Sequence, residues 1–99
     1  MRNTVIFDLD GTLADIEKRR VLSTHGNGKM DWDRFFDPKN IELDEPNLPV
    51  VFLAKTMWEK GFRVVIFSGR LDVTQTATER WLEKHQVKFN ILKMRPEHM

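Results

Sequence analysis

Alternation of apolar and polar positions along the chain gives three short apolar runs and two longer amphipathic stretches. Thr4 to Phe7 is a β-rich run that stops abruptly at charge, and Phe62 to Phe67 (FRVVIF) is a second, opened by Gly61 and closed by Ser68-Gly69. Continuous apolar runs of this length suit strands covered on both faces, as in a parallel sheet. Phe89 to Leu92 is a third, less strongly patterned run. Between the first two, Val50, Leu53, Ala54, Met57 and Trp58 form an apolar stripe, with Pro49 where a first helical turn tolerates it and Gly61 at the end. Between the second and third, Asp72 is placed to cap a helix with Gln75 three residues on, and Val73, Ala77 and Trp81 recur every four residues. Strand, helix, strand, helix, strand is the order of an α/β fold whose parallel sheet is joined by right-handed crossovers.

Residues 14 to 46 carry a different pattern. ADIEKRRVL has the makings of a short helix, STHGNGK reads as a flexible tip, and DWDRFF as one helical turn capped by Asp31 or Asp33. The acidic, Pro-bounded LDEPNLP leads into the first long helix. This segment reads as a small flap inserted after the first strand, within a single domain spanning residues 1 to 99. No repeat, linker or low-complexity segment interrupts it.

Composition narrows the class. With 40% hydrophobic and 31% charged residues the balance is that of a water-soluble globular domain. A net charge of +1 supplies no global field to draw in nucleic acid or an anionic membrane, so any such attraction must be local. The absence of cysteine excludes disulfides, thiolate chemistry and Cys-ligated zinc, and suits a reducing compartment. The opening MRNTVIFDLD holds only Val5, Ile6 and Phe7 as an apolar run, too short for a signal-peptide core or for the roughly 20 residues of a membrane span. A cytoplasmic protein without membrane contact is expected.

Chemistry concentrates in VIFDLDGTLAD, residues 5 to 15. Two carboxylates one residue apart at a strand end, Asp8 and Asp10, can point into one small volume, and such charge beside an apolar run costs several kcal/mol unless something positive offsets it. A divalent cation is one solution, and Mg²⁺ takes a few carboxylate or carbonyl oxygens together with waters and phosphate. Ligands of parallel α/β sheets sit beyond the carboxyl ends of the strands. Asp8 and Asp10 fall at the end of the first strand and Ser68, Gly69 and Arg70 at the end of the second, so both clusters are expected to face one crevice. A bare D-x-D also occurs in solvated turns; here strand, pair and Gly-Thr turn agree.

FDLDGTL at residues 7 to 13, with Ser68 closing the strand VVIFSGR, resembles the first two motifs of the haloacid dehalogenase superfamily of phosphotransferases. FDLDGTLAD, an Arg shortly after it, SGR and a terminal MRPE look most like the 3′-phosphatase domain of phage polynucleotide kinase and its relatives. The resemblance implies a Rossmann-like fold and a Mg²⁺-dependent phosphomonoester hydrolase, with a nucleic-acid 3′ end as candidate substrate. Asp8 would be the nucleophile, giving an aspartyl-phosphate, and Asp10 the general acid and base. Asp8 and the Asp10 main chain would hold the metal, while Ser68 and the Gly69 amide hold phosphoryl oxygens. Arg70, two residues after Ser68, and Arg19, nine after Asp10, match arginines that the 3′-phosphatase pattern uses, and a planar guanidinium suits bidentate phosphate contact. KRR at 18 to 20 is equally a solvated helix face. His25, His85 and His98 read as surface residues, and most tryptophans and phenylalanines as core; Trp32 and Phe35, on the flap, are candidate substrate contacts.

The resembling sequences carry a third-motif Lys and a fourth-motif acidic pair beyond MRPE, whereas this sequence ends at Met99. The resemblance therefore implies that the C-terminal part of the fold is missing, that turnover is weak or lost, and that the first strand lies at an open edge. Such an edge recruits a second copy or a completing chain. The alternative reading is a shortened module that binds phosphate or a protein without catalysis. A receiver-like signalling domain fits less well, since receivers place the acidic pair and the phosphorylated Asp on different strands.

Overall fold

The computed structural model describes residues 3 to 95. Pro96 and Glu97 of the terminal MRPE run, and His98, lie outside the described residues. Three parallel strands form the main sheet: β1 (Thr4–Asp8), β4 (Arg63–Leu71) and β5 (Ile91–Arg95), in the order β1-β4-β5. Ile6 pairs with Val65 and Asp8 with Phe67, which brings the end of β1 level with the approach to Ser68. A two-residue antiparallel ribbon of β2 (Ala14–Asp15) and β3 (Glu45–Pro46) joins the ends of the segment between them. That segment carries α1 (Glu17–Leu22), α2 (Trp32–Phe35) and α3 (Pro38–Ile41).

The crossover helices are α4 (Leu48–Glu59) and α5 (Gln75–Lys84). Asn47 stands before α4, Pro49 falls in its first turn, and Gly61, at φ +86°, takes the left-handed conformation beyond its end that a side chain would strain. Asp72 opens a separate 3₁₀ turn, Asp72–Thr74, instead of capping α5; Thr74 precedes that helix, and its side chain makes no cap hydrogen bond. The stripe on α4 is rotated from expectation: Val51 and Ala54 are buried, Val50, Met57 and Trp58 half-buried, and Leu53 points out.

Because the sheet order advances in one direction, two crossovers of the same hand must lie on the same side. The core agrees. Phe7, Val64 and Ile66 share one sheet face and pack with Val51 and Ala54 of α4 and Trp81 and Leu82 of α5. The opposite face leaves Ile6 63% and Phe67 45% exposed, which corrects the expectation that both faces are covered. On its outer side β1 pairs with no strand among the described residues.

Candidate active site

After Asp8 the chain leaves the sheet through Leu9, which is fully buried and donates its amide to the Phe67 carbonyl at 3.0 Å. Gly11 turns the backbone at φ +81°, and its amide donates to the Ala14 carbonyl while Ala14 returns a bond to Leu9. This small loop separates the two acids. Asp8 is exposed at the strand end, and its carboxylate has no hydrogen-bond or ion-pair partner among the described residues. Asp10 turns inward to meet two arginines.

Arg70 and Arg19 are both 0% exposed. Arg70 Nε donates to Asp10 Oδ1 at 2.8 Å, and its Nη2 lies 2.7 Å from the same oxygen. Arg19 Nη2 donates to that oxygen from the other side at 3.3 Å. Both guanidiniums then reach a third element. Arg19 Nε donates to Asp44 Oδ1 at 3.0 Å and Arg70 Nη2 to Asp44 Oδ2 at 2.7 Å, so one buried carboxylate bridges two cations. The Nη1 atoms also donate, that of Arg19 to the Phe35 carbonyl and that of Arg70 to the Thr78 hydroxyl, each at 3.0 Å. Trp81 Nε1 fixes the Asp44 carbonyl at 2.9 Å, and the Arg19 guanidinium lies 4.3 Å over the Phe35 ring.

Two positive and two negative side chains thus form a neutral network, the condition under which buried charge persists. Burial pushes the Asp44 carboxyl up from its ordinary value, while Arg19 and Arg70 pull it down. Ser68 is buried within β4, three residues before its end, where its Oγ accepts from the Arg70 amide at 3.0 Å, and Gly69 beside it is exposed. Sequence reasoning missed Asp44 altogether.

Arg19 and Arg70, expected to hold phosphate, here donate to carboxylates, a carbonyl and a hydroxyl. The positive partner of Asp10 is this arginine pair, whereas Asp8 stands in solvent. Among the described residues no group of three or more His, Cys, Asp or Glu side chains lies together as a metal cage. The loop does offer hard oxygens: the unpartnered Asp8 carboxylate and the Asp10 main-chain carbonyl, which accepts no hydrogen bond among the described residues. Such a set fits Mg²⁺, which is held through one or two carboxylates and otherwise by water and phosphate.

The family model for the polynucleotide kinase PNKP phosphatase domain matches residues 2–99. The chain belongs to this family. Among solved structures, a protein of a Pnkp1/Rnl/Hen1 complex is 30% identical at a TM-score of 0.72, covering 97% of this chain and 29% of that one. A chain of the Pnkp1/Rnl/Hen1 RNA repair complex is 29% identical at 0.71, covering 98% of this chain and 27% of that one. This member of the PNKP phosphatase-domain family therefore spans less than a third of the length of those two chains. A structural-genomics target from Vibrio cholerae, 21% identical at a TM-score of 0.61 over 93% of this chain and 68% of that one, shares the fold. No curated protein matches the chain.

Proposed function

We propose that this PNKP-type domain hydrolyses phosphomonoesters, and that its substrate class is the phosphorylated 3′ end of a nucleic acid. One observation carries the reading: two carboxylates a single residue apart stand in opposite settings, Asp8 free and exposed, Asp10 held on one oxygen by two arginines. A carboxylate with no resident partner is free to attack, and one oriented by two arginines is held in place for proton transfer to and from the substrate oxygen. Asp8 attacks phosphorus, a new P–O bond forms, and the ester P–O bond breaks. Asp10 protonates the departing alkoxide, then takes a proton from the water that releases inorganic phosphate from Asp8. Both arginines hold Oδ1, which leaves Oδ2 to carry that proton. Ser68 Oγ and the Gly69 amide cradle the phosphoryl oxygens, while Arg19, Arg70 and Asp44 position Asp10 and do not touch substrate. Mg²⁺, held by Asp8 and the Asp10 carbonyl, would screen the negative charge of the phosphoryl group.

In this reading residues 1 to 99 form one cytoplasmic domain with residues 14 to 46 as a flap beside the site, and the open edge of β1 receives a second copy or a completing chain. No described helix is long and apolar enough to cross a membrane. Phosphate release from a 3′-phosphorylated oligonucleotide in Mg²⁺, abolished in Asp8→Asn, is the expected result. No release from that oligonucleotide or from a small phosphomonoester overturns it. The lack of a three-acid group among the described residues favours a second reading, a non-catalytic phosphate-binding or protein-interaction module. Binding of inorganic phosphate without any release would select it.

A further inference from the structure

The segment after the hairpin tip places an aromatic platform one ring away from the guanidinium that touches Asp10. Trp32 is 59% exposed, yet its ring is fixed: it meets the Phe35 ring edge-on at 5.6 Å and stacks on Phe36 at 6.0 Å with 20° between planes. Phe35 is buried beneath Arg19, whose Nη1 it also accepts through its carbonyl. The Asp31 side chain accepts from the Arg34 amide and so holds the first turn of α2, which carries Trp32. A large aromatic ring packed against two others on one side and open to solvent on the other lowers the ordering cost of a flat ligand.

Three basic side chains lie close to it in sequence. Lys29, Arg34 and Lys39 form no ion pair among the described residues. Asp31 and Asp37 accept from the amides of Arg34 and Lys39, Asp31 also lies 3.9 Å from His25 Nε2, and with Asp33 these acids balance the three cations, so stacking on Trp32 and not net charge supplies the contact. Cations interleaved with a stacking ring are the pattern by which single-stranded nucleic acid is held without base-pairing.

We infer that the base of the 3′-terminal nucleotide stacks on Trp32 while its phosphate enters the Asp8 site, which makes Trp32 a specificity-determining residue. The inference rests on the hydrolase reading for its substrate and names which part of that substrate is recognised. Replacing a stacking aromatic by Ala costs about 1–3 kcal/mol per base, or roughly 5- to 150-fold.

The test compares kcat/KM for a 3′-phosphorylated oligonucleotide with that for the same oligonucleotide whose terminal residue is abasic. The ratio should fall roughly 5- to 150-fold in Trp32→Ala, mostly through KM, and be largely kept in Trp32→Phe. A ratio unchanged in Trp32→Ala overturns the inference and leaves the hydrolase reading standing. Tryptophan fluorescence in the Asp8→Asn protein is read in parallel. The 3′-phosphorylated oligonucleotide should quench it, inorganic phosphate should not, and the quench should vanish with Trp32→Phe. Quenching assigned to Trp32 in a wild-type protein that releases no phosphate would keep the inference and remove the hydrolase reading; no quench with any oligonucleotide overturns the inference.

Discussion

Replacing Asp44 by Asn tests the buried network most directly. The substitution keeps the side-chain volume and removes one charge, so a cluster of two arginines and two aspartates goes from neutral to +1 with Arg19 and Arg70 wholly buried. In the native protein Arg19 Nε donates to one Asp44 oxygen and Arg70 Nη2 to the other. An Asn oxygen still accepts from one guanidinium, but its NH₂ then faces the other, donor against donor. Removing one partner of a buried pair costs about 3–5 kcal/mol because the survivor is left uncompensated. The burial that pushes the Asp44 carboxyl up is relieved at the same time, so the lower end, about 3 kcal/mol, is expected.

For a domain of this size each kcal/mol moves the midpoint by roughly 4–8 °C, which puts the loss of Tm near 12–24 °C. Circular dichroism on heating at neutral pH measures it. Adding Arg19→Met to Asp44→Asn restores neutrality, so the double variant should recover about 1–2 kcal/mol relative to the sum of the single losses. A drop below about 4 °C in Asp44→Asn, or strictly additive losses in the double variant, would refute the claim that this carboxylate neutralises both arginines.

The same placement separates the two acids by stability: Asp8→Asn should stay within about 0.5 kcal/mol of wild type in urea unfolding, whereas Asp10→Asn should lose about 2 kcal/mol with its charge-assisted hydrogen bonds. Equal effects would sink the distinction. Gly11→Ala should cost about 1–2 kcal/mol, all of it backbone strain, since φ is +81° and nothing lies within 4 Å of the added Cβ; Gly69→Ala, with equal room and no positive φ, is the control that should not. Ile6→Lys places a charge on the bare face beside the open edge of β1. Sedimentation of the wild-type protein at high concentration should give a mass above the monomer, and the variant should run as the monomer; a monomeric wild type would refute self-association at that edge.

The parallel sheet was legible because its strands are apolar runs with abrupt polar ends and its helices repeat with helical spacing. Ends were less so: β4 continues through Ser68 and Arg70 to Leu71, past the polar residues read as its stop, because Arg70 is drawn inward by Asp10 and Asp44. The segment from Ala14 to Pro46 yielded α1, and α2 with Asp31 rather than Asp33 as its cap, but not α3 or the ribbon of β2 and β3, whose four residues carry no alternation to read. Asp44 was hidden by distance, since its partners lie 25 and 26 residues away and LDEP reads locally as a solvated acidic turn. A signal existed in the charge balance. Reading Arg19 and Arg70 as phosphate ligands used the chemistry of guanidinium alone, and that chemistry serves carboxylates equally well. Burial adds a demand of its own. An arginine that keeps a solvent-facing edge can wait for a ligand, but two fully buried ones need resident anions, and Asp10 alone supplies half the charge. The second anion had to come from the chain, and an acid at the end of the inserted segment, where the ribbon brings it back to the sheet, is in reach of both.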